Sequence, residues 1–555
     1  MTVYLHISSI DIINPYEPLR DPITIEYYRP ADLTPEESRL AYKDIPVRPH
    51  INAPHSKEAF DFLKGCLTNC NQRHVLCKRT ISPPPKRLLR IGTSRANLVE
   101  LPPTFEKCHY VALSYCWGDD IVIKTTKDNI EDRKQGLDLL KLPATIRDAA
   151  HITRKLGGIY LWVDALCIVQ DDPKDWEEQA AKMSSIYEQA YLTIMASSAD
   201  SADISFLEHS SRPPRVQCRV AADIVLAARL PCKSGHHYIP VKSNVQSQER
   251  IFTRGWTLQE EVLSTRTISY SKDELQWRCK TIGSCECQTP AAVWREHYTN
   301  NRLMNWDKIV DEYTQRQLTF PADKLPALSG ICQLVKSQTG SRYLAGLWQD
   351  RLVPNLLWEC RTYFSSSRSW IGSDYVAPSF SWASIDYHVK PFDPSGFHEY
   401  ARLVKSDILL SCDDPFGRVK RGSSITMEGK LFHNAGIRRG KYARKYHISF
   451  GDKDDLFSSD VDLETFSHTD SDGLLQRSVK RSTRDSSKEA AEIESGSTVS
   501  LFLLGQREHK YSWCFLVLGV STFNRNAYER LGLWGTGMLG RDFFNGCITQ
   551  SITIM

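Results

Sequence analysis

From Cys108 onward the chain alternates short apolar runs with stretches of helical period. His109 to Tyr115 (HYVALSY) is β-rich and mostly apolar, which predicts a buried strand, and Trp117-Gly118-Asp119-Asp120 ends it as a turn. Pro143 opens a helix at a first-turn position; Ile146, Ala149, Ala150, Thr153 and Leu156 share one face, and Gly157-Gly158 stops it. Ile159 to Val169 predicts a second buried strand. Asp171-Asp172-Pro173 reads as a turn, and Asp175 with Glu178 forms a candidate capping box. Trp176, Ala180, Met183, Tyr187 and Ala190 then recur at helical spacing, before a third strand at Tyr191 to Ala196. Phe252 to Tyr270 reads as a helix with Leu258, Val262 and Leu263 inward, followed by a strand. This β-α-β-α-β order with short connections predicts a parallel sheet covered by helices. In such sheets the ligand crevice lies at the carboxyl ends of the strands, here Ser114 to Asp119 and Cys167 to Asp172.

The flanks divide by composition. Residues 1–55 are rich in Pro and charge and read as a surface arm, partly disordered. Residues 56–107 form a helical lead-in with a Cys/His cluster: a helix around Lys57 to Lys78, broken by Ser82-Pro83-Pro84-Pro85. The α/β domain occupies 108–270, and 271–450 is a mixed, tryptophan-rich region. Residues 451–498 are Ser/Asp/Lys-rich and read as a disordered insertion, and 499–555 as a β-rich C-terminal segment.

Composition narrows the function classes. With 70 basic and 66 acidic side chains the net charge is only +4, which gives no reason to expect nucleic acid or an anionic membrane as partner. No apolar run is long enough to span a bilayer, and the N-terminus does not read as a secretory signal, so a cytoplasmic location is expected. The 16 Cys then read as reduced thiols or ligands. Gly-x-Ser-x-Gly, a phosphate loop ending in Gly-Lys-Ser/Thr, and Gly-x-Gly-x-x-Gly are all absent, which removes support for esterase, ATPase and ordinary dehydrogenase readings.

Four blocks stand in an order that resembles the fungal heterokaryon incompatibility (HET) domain family: Tyr110 to Gly118 (YVALSYCWG), Leu142 to Ala149 (LPATIRDA), Leu161 to Asp172 (LWVDALCIVQDD) and Arg254 to Glu260 (RGWTLQE). Tyr343 to Trp348, Ala377 to Trp382 and Cys70-x3-His74-x2-Cys77 look like flanking motifs of the same family; Phe380 and Glu261 depart from its usual pattern. The resemblance implies an effector of non-self recognition and programmed cell death, active through self-association or another incompatibility protein. The HET domain in turn resembles TIR domains at a distance, which implies a flavodoxin/TIR-like α/β fold and a candidate NAD glycohydrolase activity. Many TIR domains cleave NAD with one glutamate four residues after a Trp, in the pattern Trp-Cys-x-x-Glu. Trp256 and Glu260 have that spacing, with Thr257 in place of the Cys.

Expelling nicotinamide, a neutral leaving group, needs no general acid, so one carboxylate suffices to stabilise an oxocarbenium-like ribose and position water. Glu260 is the catalytic candidate. Trp117, Gly118, Asp119, Arg254 and Trp256 are the nucleotide-contact candidates, with Arg254 or Arg266 on the pyrophosphate and a Trp stacked on a ring. NAD enters as substrate, with no resident cofactor. The rival reading is a non-catalytic adaptor, with Glu260 in a structural ion pair, the aspartates in turns and the tryptophans in packing. Exposure of Glu260 in an open crevice beside Trp117 and Asp119 separates the two. Asp164 reads as structural, and Cys167, inside an apolar run, as an inert thiol rather than a nucleophile paired with His151. Cys66, Cys70, His74 and Cys77 would share one helix face and suit zinc, yet one helix cannot easily surround a metal. Buried packing is therefore expected and no metal ligand is assigned. Cys279, Cys285 and Cys287 are candidate further ligands, but nothing in the sequence brings the two groups together.

Overall fold

The apolar runs assemble into one ten-stranded sheet: β1 (Arg87–Ile91), β2 (Arg95–Glu100), β3 (Tyr110–Ser114), β4 (Leu137–Asp138), β5 (Tyr160–Trp162), β6 (Leu192–Met195), β7 (Arg266–Tyr270), β8 (Leu275–Cys279), β9 (Ile282–Cys285) and β10 (Trp294–Arg295). The strand order is β10-β9-β8-β7-β6-β3-β5-β1-β2-β4. The computed structural model describes residues 51, 53–78, 84–102, 108–118, 123–208, 249–286, 305–361, 375–440, 445–450 and most of 453–555, plus strands at 26–30, 47–48, 215–221, 224–229 and 294–295. The chain divides into one unit over Met1–Asn300, which holds this sheet, and a second over Asn301–Met555.

The middle of the sheet, β5-β3-β6-β7, is parallel: Ala112 faces Trp162 on one side and Thr193 on the other, and Ile268 faces Ile194. Strands buried on both faces explain why these runs are apolar without alternation; every residue of β3, β6 and β7 is buried. Antiparallel hairpins extend both edges, β1 and β2 beyond β5 and β8 and β9 beyond β7. The sheet is therefore mixed and reaches past the expected 108–270. The lead-in expected to be helical contributes β1 and β2 after its helix α1 (Lys57–Arg73), which stops at Arg73 rather than Lys78. Of the N-terminal arm, Glu26–Pro30 forms a strand paired with Ile224–Arg229, and the remainder up to residue 50, apart from Val47–Arg48, lies outside the described residues.

The covering helices are α2 (Ile130–Gln135), α3 (Ala144–Lys155), α4 (Asp164–Cys167), α5 (Pro173–Gln189) and α6 (Trp256–Leu263). Helix α3 buries Ile146, Ala149, Ala150 and Thr153, and Gly157 beyond it has φ +76°. Two expectations are corrected. The run Ile159 to Val169 is not one strand: after Trp162 the chain turns into α4, because Asp164 Oδ1 accepts the N–H of Ala165 at 2.7 Å and pins a helical turn. Asp175 is not part of a capping box. Asp172 caps α5 by accepting the N–H of Lys174 at 3.2 Å, while Asp175 is buried, accepts the N–H of Val169 at 3.0 Å and pairs with the Arg87 guanidinium.

In the second unit, Ser424–Arg439 pairs with both Thr549–Ile554 and Thr498–Arg507. Ser512–Val520 and Tyr528–Thr536 complete the ring, so these strands close on themselves. Closure removes sheet edges. The stretch 451–498, expected to be a disordered insertion, instead carries strands at Lys453–Ser458, Leu463–Thr469 and Leu475–Arg481. Phe457, Val461, Leu463 and Val479 are buried, Leu456 is exposed, and Asp460 meets Arg530 Nε at 2.8 Å. Trp306, Trp348, Trp358 and Trp382 are buried in this unit, while Trp370 lies outside the described residues. No helix among the described residues is long and apolar enough to cross a membrane.

Candidate functional site

The parallel strands run in the sequence order second, first, third, fourth, so the chain departs to opposite sides after β3 and β5. In open α/β sheets such a reversal marks the usual ligand position, which here is the carboxyl end of β3. Ser114, the last residue of β3, donates its hydroxyl to Glu260 Oε2 at 2.5 Å. Tyr187, on the inner face of α5, shares its one hydroxyl proton between the carbonyl of Leu113, at 3.2 Å, and Glu260. Asp164, just past β5, accepts from Trp117 Nε1 at 2.8 Å and from the Tyr115 hydroxyl. Arg254, on the turn entering α6, donates to the carbonyl of Tyr115, and its charge acts on both Asp164 and Glu260. Four chain segments thus supply two carboxyls, one guanidinium and two phenols to one place.

Glu260 is 4% exposed. Burial pushes its carboxyl up to about 7, and the nearby Asp164 adds to the rise; Arg254 and the hydrogen bonds from Ser114 and Tyr187 pull it down without cancelling the effect. Burial also raises the Asp164 carboxyl, against the pull of Arg254 and of its own donors. It holds the Tyr115 and Tyr187 phenols protonated, well above the usual range. A carboxyl that changes charge near neutrality, beside a fixed cation, is suited to proton transfer or to stabilising a developing positive charge.

The other candidates divide. Trp117 is half-buried and bonded to Asp164. Gly118 sits at φ +94°, and a Cβ there would lie 2.9 Å from Ser201 Cβ, so this position requires glycine. Trp256 starts α6 and packs edge-on against Trp176 of α5, with ring centroids 6.2 Å apart. Asp119 lies outside the described residues. Arg266 is not at this site: it lies at the opposite, amino end of β7, where it donates to Cys70 Sγ, Asn71 Oδ1 and the carbonyl of Cys77. Cys167 is buried in α4, with its thiol pushed up to about 12 by burial, as suits an inert packing residue. Asp171 accepts the N–H of Lys127 at 2.8 Å, a turn-stabilising contact.

Sequence reasoning did not place Asp164 or Tyr187 at the site. Tyr187 was one member of a helical stripe; a buried phenol needs a hydrogen-bond partner, and that requirement was the available signal. Asp164 was the one charge inside an apolar run, and such a charge persists only when several donors meet it. The cysteines also regroup: Cys279 at the end of β8 joins Cys70, His74 and Cys77, Cys285 is buried at the end of β9 outside that group, and Cys287 lies outside the described residues.

Residues 110–260 match the family model described as heterokaryon incompatibility protein (HET). Searches of curated proteins and of solved structures found no match. The matched span begins at the first residue of β3 and ends at Glu260, so it encloses Ser114, Asp164, Tyr187, Arg254 and Glu260. The protein therefore carries a heterokaryon incompatibility (HET) domain, and the carboxylate cluster at the end of β3 is part of it.

Proposed function

We propose that this HET domain is an effector of non-self recognition and cell death that cleaves the nicotinamide–ribose bond of NAD at Glu260. The observation that carries the reading is the meeting of Glu260, Asp164 and Arg254 at the strand-order reversal, with the Glu260 carboxyl held near neutrality. In the reaction the bond between ribose C1′ and the pyridinium nitrogen breaks, and its electron pair leaves with nicotinamide, which departs neutral. The ionised Glu260 stabilises the positive charge left on the ribose and takes the proton of the water that adds to C1′. Arg254 neutralises pyrophosphate charge. The flavodoxin/TIR-like order of the parallel strands and the Trp256–Glu260 spacing support the comparison with TIR domains.

A second reading has its own observation. Glu260 is 4% exposed and already hydrogen-bonded, which suits a structural carboxyl in an adaptor that assembles with itself or another incompatibility protein. This burial does not meet the open-crevice criterion for an enzyme, so the catalytic reading requires that self-association or a partner uncover Glu260. Expression in host cells separates the two. The enzyme requires that wild type kill and Glu260→Gln, at equal protein level, not kill; killing by both leaves the adaptor.

A further inference from the structure

Helix α1 ends at Arg73, and the chain then makes a single tight turn over Val75–Cys77. Cys70 lies in the last turn of the helix, His74 just beyond it and Cys77 at the end of the tight turn. The fourth member comes from elsewhere in the sheet: Cys279 closes β8 and enters the hairpin to β9. The three sulfurs and a His74 ring nitrogen all lie within 4.8 Å of one another, the one such group of Cys, His, Asp or Glu among the described residues. Cys279 Sγ is 3.3 Å from His74 Nδ1. A tetrahedral zinc with Zn–S near 2.3 Å and Zn–N near 2.0 Å spaces its ligand atoms by about 3.5–3.8 Å, so little movement is needed to close the group on an ion. The objection that one helix cannot surround a metal falls away, because the ligands come from two segments far apart in sequence.

The surroundings point the same way. Cys70, Cys77 and Cys279 are almost fully buried and His74 is 9% exposed. Each sulfur has an outer polar neighbour: Arg266 Nε donates to Cys70 at 3.2 Å, the backbone N–H of Ile282 to Cys279 at 3.4 Å, and Thr281 Oγ1 lies 3.6 Å from Cys77. Backbone and side-chain donors aimed at sulfur are what metal-bound thiolates need. Arg266 supplies an independent argument. It is 3% exposed, and its partners among the described residues are Cys70 Sγ, Asn71 Oδ1, the carbonyls of Cys77 and Tyr191 and the Tyr191 ring. None of these is a carboxylate, yet a buried cation calls for a nearby anion. Zinc with three thiolates and a neutral imidazole carries a net charge of −1, centred next to the guanidinium.

We infer that Cys70, His74, Cys77 and Cys279 form a structural zinc site that ties the end of α1 to the β8–β9 hairpin, with Arg266 as its counter-charge. The four protein ligands fill the tetrahedron and leave no position for substrate, so the ion holds structure rather than performing chemistry. Binding displaces the thiol protons to solvent, so occupancy falls as the pH is lowered.

The test is metal content of the full chain purified from zinc-supplemented cells. Mass spectrometry of the digested protein should find about one zinc per chain. Cys279→Ser and Cys77→Ser should lose it, while Cys66→Ser, which alters a half-buried thiol outside the group, should keep it. Because the ligand variants can fail to fold, wild type is also measured alone: a mercurial that caps thiols should release the zinc, and cobalt exchanged into the site should give the absorption of a tetrahedral thiolate complex. Folded wild type with less than about a tenth of an equivalent of zinc and no cobalt–thiolate absorption would overturn the site. So would iron in place of zinc, a disulfide among these cysteines, or zinc retained by a folded Cys279→Ser chain.

Discussion

Replacing Glu260 by Gln removes one titrating proton from the buried cluster and changes little else, since Gln matches the neutral carboxyl in shape and can still accept from Ser114. The carboxyl has an ordinary value of 4.5 and is held at about 7 in the fold. A group raised on folding contributes stability that is complete below its unfolded value and is lost as the pH climbs through its folded value. At about 1.4 kcal/mol for each pH unit separating the two values, full ionisation of Glu260 costs the folded unit about 3 kcal/mol, of which about 2.5 falls between pH 5 and pH 8. The wild type should therefore lose about 2.5 kcal/mol relative to Glu260→Gln across that interval. Glu249, half-buried and also pushed to about 7 by burial, is present in both proteins, so it cancels in the difference. Urea unfolding at pH 5, 6, 7 and 8, read from hydrogen exchange of the β3 peptide, reports the HET-bearing unit by itself. A difference between the two proteins that stays flat within about 0.5 kcal/mol would refute the claim that burial holds this carboxyl near neutrality.

Tyr187→Phe removes a hydrogen bond that pulls the Glu260 carboxyl down, so the midpoint of the same pH–stability difference should move upward; an unmoved midpoint contradicts the contact. Arg87→Met leaves the buried Asp175 without its guanidinium partner, with Lys86 and the N–H of Val169 still in place. Urea unfolding should show a loss of about 3 kcal/mol. Gly118→Ala forces a side chain into φ +94° and against Ser201, and thermal unfolding should show a loss of at least about 1 kcal/mol.

The parallel core was legible because its strands are buried on both faces and its helices keep a regular apolar stripe: β3, α3, α5 and β6 fall within a few residues of their expected places. The antiparallel edges were not. Arg87–Ile91 and Arg95–Glu100 mix charge with apolar residues, and the buried Arg87 is accommodated there by Asp175 and the Cys167 carbonyl, partners that a hydrophobic pattern does not reveal. Asp164 broke an expected strand because a side chain competing for a backbone N–H is invisible to a hydrophobic pattern. The strands within 451–498 were hidden by low apolar content, since pairing in a large sheet asks for only a few inward side chains. At the site, the Trp256–Glu260 spacing named Glu260 as a candidate and Arg254 stood in the same block, but their convergence with Ser114, Tyr187 and Asp164 depends on strand order, which spacing does not encode. The cysteine group shows the same limit: three members were visible in one segment, and the fourth came from a strand about 200 residues away.

The most direct measurement of the central claim is NAD turnover by the purified chain at high protein concentration with a crowding agent, wild type beside Glu260→Gln, followed as nicotinamide release. The account predicts release by wild type alone. Equal release by both proteins, or none from a wild type shown to be folded and self-associated, would contradict it.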